Sequence, residues 1–246
     1  MGNMVKKAVI LAAGRGKRLI PLTNLIAKSL LPIDGRAMIE QIIERLECAN
    51  FREIVVVKGY LGDQIVSFIE DLDPNPEIKF VDQEKPMGSA DAIKKALHLM
   101  EGDFLVTASD SIFSCPYIKK LWDFHIERRC DASLSLKKIP REKIPSSSTV
   151  LMDDDGNILR IIEKPSEEEI LSDVSSSPMY VFGPTVKAYM ETMDVSERGE
   201  YEIQSVIQRM IDDGLRVKGL ITRRWEHMTD IEDFLRLNFL YMEKIL

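Results

Sequence analysis

Cysteine is scarce in this chain of 246 residues: Cys48, Cys115 and Cys130 stand far apart, with no C-x-x-C pair. That spacing argues against a zinc site and predicts no disulfide framework, which suits a reducing cytoplasm. Long apolar runs are missing as well, and none approaches the length of a membrane span. Lys6-Lys7 followed by AVILAA imitates a secretory leader, but the run is short and ends in Gly14-Arg15-Gly16 rather than at a cleavage site. Gly2 would begin a myristoylation signal only if Ser or Thr stood in place of Lys6. Neither export nor a membrane anchor is expected. Positive charge is in deficit too, since 33 Lys and Arg against 40 Asp and Glu give a formal net charge of −7. A nucleic-acid surface needs cations to dominate one face, so that class of partner is excluded, while local binding of a small anion is not.

What is present is ordinary in bulk: 45% hydrophobic and 30% charged residues, with length enough for a sizeable core, predict one globular domain over residues 1–246. Strand and helix patterns alternate as in βαβ units, which predicts an α/β fold with a mostly parallel sheet and helices on both faces. Strands are expected at Val9–Leu11, Ile54–Val57, Ile78–Val81, Phe104–Ala108, Ala132–Leu136, Met179–Phe182 and Val217–Ile221. Helices are expected at Ala37–Ala49, Asp63–Ile69, Gly88–Met100, Pro116–Arg129, Pro184–Met193, Glu202–Asp213 and Asp230–Leu246, the last with Phe234, Leu237, Leu240 and Tyr241 on one face. Between Ile139 and Pro178 the composition turns to Ser, Pro and charge. Val150–Met152 and Leu159–Ile162 there predict an inserted β layer, and Ser166–Ser177 a solvated loop or short helix. His98 and His125 fall within helical patterns and suggest no function.

The stretch from Ala8 to Pro32 carries the chemistry. A buried strand breaks at Ala12, Ala13, Gly14 and Gly16, small residues that let backbone approach a bulky ligand, and Arg15, Lys17 and Arg18 bring positive charge beside the turn's N–H groups. Such a turn cradles phosphates. It is neither of the best-known phosphate loops: the third glycine of G-x-G-x-x-G is missing, and no G-K-[ST] follows. Gly14, Gln83 and Asp110 all fall where strands end, and sheets of this kind bind ligands at the carboxyl ends of their strands.

The longer run AAGRGKRLIPLTNLIAKSLLPIDGRAMIEQIIERL resembles the opening signature of the sugar-1-phosphate nucleotidylyltransferases, with the glycines, Arg18, Pro21-Leu22-Thr23, Lys28 and Leu31-Pro32 in one register. The resemblance implies a Rossmann-like, mostly parallel sheet sandwiched by helices, of the nucleotide-diphospho-sugar transferase type. It also implies transfer of a nucleotidyl group from a nucleoside triphosphate to a phosphorylated sugar, with Mg2+ and release of pyrophosphate. Ala12, Ala13, Gly14, Gly16, Gln83 and Gly88 would bind the nucleotide, with the Gln83 amide offered to a base edge. Arg18 would hold the departing pyrophosphate and Lys28 the α-phosphate. Asp110 matches the family's first magnesium carboxylate, and Glu163-Lys164-Pro165 matches its E-K-P, which implies Glu163 on an acceptor hydroxyl and Lys164 on the acceptor phosphate.

The departures from the family pattern cluster. Ala27 and Ala37 replace two prolines, which are backbone-stiffening positions. Ser147-Ser148 stands for Tyr-Gly, Pro178 for Gly and Gln204-Ser205 for Thr-Asp, all in the acceptor half. The second magnesium carboxylate of a W-x-D pattern is here His227, two residues after Trp225, with Asp230 three residues later. Imidazole is a poorer magnesium ligand than carboxylate, and an aspartate placed like Asp230 is a helix N-cap as readily as a ligand. Three functions therefore stay open: the sugar-phosphate reaction, the same reaction on a non-sugar phosphate such as phosphocholine or an inositol phosphate, and nucleotide binding without catalysis. The chain ends soon after the catalytic half, so the β-helix acetyltransferase domain of some relatives is not expected. The base and the oligomeric state are not legible.

Overall fold

The computed structural model describes residues 5–222 and 225–245, the last six without their side chains. Gly2, Leu246 and the side chains of Leu240 and Tyr241 lie outside the described residues. In chain order the elements are β1 (Lys6–Ala12), β2 (Pro32–Ile33), β3 (Arg36–Ala37), α1 (Met38–Cys48), β4 (Phe51–Lys58), α2 (Gly62–Leu72), β5 (Glu77–Asp82), α3 (Ser89–Ala96), β6 (Phe104–Ala108) and β7 (Ser111–Ile112). Then come α4 (Cys115–Glu127), β8 (Ala132–Lys138), β9 (Ser148–Met152), β10 (Ile158–Glu163), β11 (Val174–Phe182), α5 (Val186–Glu191), α6 (Ile203–Asp212), β12 (Val217–Ile221), β13 (Glu226–His227) and α7 (Ile231–Ile245). The strands hydrogen-bond in the order β12-β8-β11-β6-β1-β4-β5, a seven-stranded sheet. No described helix is long and apolar enough to cross a membrane.

The chain divides into two compact units, one of residues 1–86, 107–118 and 224–246, the other of 87–106 and 119–223. In the first, β1, β4 and β5 pair in parallel, and the ladder runs from Lys6 opposite Phe51 to Ala12 opposite Lys58. Val9, Ile10 and Ile54 to Val57 are buried, as strands covered on both faces require. On α1, Met38, Ile39, Ile42, Ile43 and Leu46 form the expected buried stripe. In the second unit, β8 pairs antiparallel with β11 and parallel with β12. The inserted layer is the antiparallel pair β9 and β10, with Gln208 of α6 accepting the Ile161 N–H at 2.8 Å.

Two expectations are corrected. The serine-rich stretch is only partly a loop: Ser166 and Glu169 form a capping box on an exposed turn, but β11 already begins at Val174, and Ser175 and Ser177 are buried. Serine has no apolar periodicity to reveal such a strand. Its hydroxyls can be buried by bonding one another, as Ser175 Oγ does with Ser147 Oγ at 2.7 Å and Ser148 Oγ at 3.1 Å. The second correction is a disulfide between Cys48, at the end of α1, and Cys115, at the start of α4, with Cα atoms 6.0 Å apart. Sequence distance hid it, because 67 residues separate the two. Cys130 is a free, buried thiol.

A cross-link closing so long a loop restricts the unfolded chain. We expect Cys48→Ser to lower stability by roughly 2 to 4 kcal/mol in a thermal or denaturant melt. Non-reducing peptide mapping that finds free thiols at both positions in the oxidised protein would refute the bridge.

Candidate active site

In the first unit the glycine loop follows β1 and is held by its neighbours. Gly16 has φ +66°, its carbonyl accepts the Thr23 hydroxyl at 2.9 Å, and a Cβ there would meet Thr23 Cγ2 at 3.0 Å and Lys28 Cβ at 3.2 Å. Glycine is therefore required at 16 for both conformation and space. Gly14 is different: a Cβ would find nothing within 4 Å, so its backbone borders open space. Ala12 and Ala13 are buried beneath the loop. Arg15 lies over the Tyr60 ring, 5.0 Å from its centroid. Gly59 lets three strand ends converge, since a Cβ there would lie 2.9 Å from Ala13 and 3.0 Å from the Gln83 carbonyl. Gln83 itself is buried, and its N–H donates to the Lys58 carbonyl at 2.8 Å.

Downstream of the loop, Gln64 accepts the Ala27 N–H and donates to the Leu25 carbonyl, both at 2.9 Å, which fixes the backbone leading to Lys28. Lys28 Nζ then sits 2.5 Å from Asp110 Oδ2. The other oxygen, Oδ1, accepts from Ser111 Oγ at 3.1 Å and lies 3.6 Å from His227 Nδ1, which bonds Ser111 Oγ at 2.8 Å. This grouping follows from backbone pairing. β7 and β13 are antiparallel with His227 opposite Ser111, and the Met228 N–H donates to the Asp110 carbonyl at 3.0 Å. Trp225 stacks on Phe113 and lies 4.7 Å from the His227 ring, between centroids.

The electrostatics agree with the contacts. Burial pushes the Asp110 carboxyl up, but Lys28, His227 and the bonds from Lys28 and Ser111 outweigh it and hold the group below the usual carboxylate range. His227 is held below its ordinary value by burial, and the Lys28 and Arg18 charges add to this against Asp110 and Asp233. Arg18 is exposed on the loop. Asp230 caps α7, with its Oδ1 accepting the Asp233 N–H at 3.0 Å while Asp233 accepts the Thr229 N–H at 2.9 Å. Among the described residues no three His, Cys, Asp or Glu side chains form a metal-holding group. Asp110 is the carboxylate with oxygen to offer a cation here.

In the second unit, Glu163 ends β10 and Lys164 follows with φ +46°, its N–H donating to the Ser147 carbonyl at 2.6 Å. A left-handed non-glycine residue stores strain, and here it turns an exposed lysine at a strand end. Both residues line a cavity of about 770 Å³, together with Arg198, Glu202, Gln204 and Ser205. Glu202 is only 8% exposed and is held by Arg198 Nε at 2.8 Å and Ser196 Oγ at 3.1 Å. Burial, joined by the charges of Glu202 and Glu200, pushes the Glu163 carboxyl up to about 7 against the pull of Lys164 and Arg198. Ser147-Ser148 belongs to the serine cluster with Ser175 and Ser176. At Gly88, φ is +112° and a Cβ would collide with the Tyr201 backbone, so its bareness has a structural reason within this unit.

Sequence reasoning missed Gly59, Tyr60, Ser111, Arg198 and Glu202. The first three adjoin strand ends already singled out, which was the available signal. Arg198 lies in polar sequence with nothing to mark it, whereas Glu202 opens the helix expected at Glu202–Asp213 and stands two residues before the departure at Gln204-Ser205.

The nucleotidyl transferase family model matches residues 7–244, and the chain belongs to that family. It is 30% identical over 243 residues to a bifunctional protein GlmU of Methanococcus maripaludis, covering 97% of this chain and 55% of that one. A glucose-1-phosphate thymidylyltransferase of Streptomyces griseus is 28% identical over 240 residues, covering 96% of this chain and 66% of that one. The chain thus spans little more than half the length of the first of these relatives. Its fold is that of a UDP-glucose pyrophosphorylase solved with UDP-glucose, with a TM-score of 0.85 at 18% identity, covering 98% of this chain and all of that one.

Two outcomes test the second unit. The folded Glu163 carboxyl titrates at about 7, above its ordinary 4.5, so the folded state holds a proton that the unfolded state releases between those values. Stability contributed by this group is present below pH 4.5 and lost as pH rises to about 7. Glu163→Gln is expected to flatten that fall in a melting-temperature series, and an unchanged slope refutes the shift. Lys164→Gly should gain about 1 kcal/mol of stability by relieving the left-handed backbone, and loss of stability instead would show the strain is not there.

Proposed function

We propose that the chain transfers a nucleotidyl group from a nucleoside triphosphate to a sugar 1-phosphate, releasing pyrophosphate and forming a nucleotide-activated sugar. The observation that carries this reading is the Lys28–Asp110 pair beside a glycine loop at the strand ends, within a chain of the nucleotidyl transferase family. We read residues 1–246 as one functional domain. The loop's N–H groups, from Ala12 to Gly16, would receive the triphosphate, and Gln83 would receive the base. Arg18 would hold the pyrophosphate as it leaves, and Lys28 would neutralise charge developing on the α-phosphate. Lys164 would hold the acceptor phosphate and Glu163 an acceptor hydroxyl. Positioning and electrostatics supply most of the acceleration in such a transfer. A phosphate dianion is already a competent nucleophile near neutral pH, so no general base is required.

The donor set at Asp110 fits magnesium, which commonly takes one or two carboxylates and completes its shell with water and substrate phosphates. Asp110 would hold that ion, whose charge offsets the phosphate oxygens. Asp230 is engaged as a cap, which argues against its serving as a second ligand. We place the reaction in the cytoplasm, where nucleoside triphosphates are made, and the Cys48–Cys115 bridge is the feature that placement has to accommodate. One observation favours a second reading, an acceptor other than the usual sugar phosphate. The wall around Lys164 carries Gln204 and Ser205 and the acids Glu163 and Glu202.

A panel of nucleoside triphosphates against sugar 1-phosphates, phosphocholine and inositol phosphates, scored for pyrophosphate release, separates these readings. Binding without release on every pair would refute catalysis. Arg18→Ala and Lys28→Ala should each slow the productive pair by roughly 100- to 1000-fold with folding intact. Asp110→Asn should abolish magnesium-dependent release while metal-free triphosphate binding persists.

A further inference from the structure

We propose that the Cys48–Cys115 bridge is a thiol–disulfide exchange site for an external dithiol, coupled through β7 to the Lys28–Asp110 pair. The bridge and the ion pair link the same two segments of chain. One segment runs from Lys28 into α1, where the Met38 N–H donates to the Leu31 carbonyl at 3.2 Å, and it ends at Cys48. The other runs from Asp110 through β7 to Cys115. α1 is about 16 Å long at 1.5 Å per residue and packs against β7, so along both segments the two links stand on either side of one helix–strand contact. Ile112 and Phe113 are buried there, and Phe113 stacks on Trp225, one residue before β13.

The bridge is placed for exchange. Cys48 is exposed, which opens its sulfur to an incoming thiolate, while Cys115 is half-buried. Cys115 is also the first residue of α4, and Cys48 the last of α1. A helix N-terminus stabilises a thiolate and a C-terminus opposes one, which makes Cys115 the better leaving group. The reductant's thiolate therefore attacks Cys48 Sγ, the bond between the two Sγ atoms breaks, and Cys115 departs as thiolate. The reductant's second thiol then attacks its own sulfur in the mixed disulfide and releases Cys48. Two electrons pass in all: the dithiol becomes a disulfide, and its two protons end on the two cysteines. Cys130 does not compete, since it is buried and burial pushes its thiol up. In a reducing compartment such as the one proposed above, a disulfide that forms is characteristically transient or redox-sensing. Opening this one removes a tether three residues after β7, whose ladder with β13 is only two residues a side and holds Ser111 beside Asp110.

The experiment reduces the folded, oxidised chain with dithiothreitol and follows thiol labelling, circular dichroism and amide hydrogen exchange. Cys48 and Cys115 should become open to iodoacetamide with the fold retained. Exchange over residues 110–115 and 226–228 should then speed up by about fivefold or more, with β1 and β4 unchanged. The Cys48→Ser/Cys115→Ser double variant should match the reduced chain without any reductant. Brief treatment with glutathione, quenched by iodoacetamide, should leave glutathione on Cys48 and the alkyl group on Cys115, and the reverse labelling overturns the assigned roles. A bridge that yields only when the chain unfolds, or equal exchange in the oxidised, reduced and doubly substituted chains, overturns the proposal. The consequence for turnover rests on the function reading above: reduction should slow pyrophosphate release by about fivefold or more. Faster exchange with no release on any substrate pair refutes catalysis and keeps the exchange site. Release that reduction leaves unchanged refutes the coupling and keeps catalysis.

Discussion

The Lys28 ammonium on the Asp110 carboxylate joins residues 82 apart in sequence, both mostly withdrawn from water. A charge so placed is tolerable because the other is there, and removing one partner leaves an uncompensated charge behind. Both ends are braced. Gln64 grips the chain before Lys28, and the β7–β13 ladder grips Asp110 through Met228 and Ser111. The pair therefore joins the glycine loop to the strand-end carboxylate. A triphosphate arriving at the loop would offer Lys28 a second anion while Asp110 remains in place.

The second unit uses a different device. Its lysine is aimed by a strained backbone, and its carboxyl is kept near neutrality by burial among other acids. A carboxyl titrating near 7 can donate or accept a hydrogen bond at working pH, which suits contact with hydroxyls. Arg198 bonds the Glu163 carbonyl at 3.4 Å and pairs with Glu202, so the acid is set within a network rather than left alone.

Strands buried on both faces were legible as continuous apolar runs, as at β6, and the edge strand β12 also falls at the expected residues although only Val217 and Gly219 are buried in it. The glycine loop and Asp110 were singled out by the register of the family signature, because small or acidic residues at a strand end are by themselves most often only a turn. Less legible was anything fixed by long-range pairing. Ser111 became part of the site through an antiparallel ladder of two residues a side, too short for any periodicity to announce. The start of β11 was hidden because it buries serines, Ser175 among them bonded to Ser147 and Ser148, rather than an apolar run, and the disulfide because its halves lie on helices far apart in sequence. Asp230 shows the opposite case: its spacing to Asp233 already described a cap, and the bond is there.

The Thr23–Gly16 bond has a consequence for how tightly any anion can be held. A loop whose carbonyl is tethered by a hydroxyl seven residues on has lost its conformational freedom during folding rather than on meeting a ligand. Binding to a rigid cradle escapes most of the ordering penalty that a floppy glycine turn would impose. On the proposed reading of the loop as a phosphate cradle, Thr23 would add to affinity without touching phosphate. Its effect belongs to the entropy of association and would be invisible in any inventory of contacts.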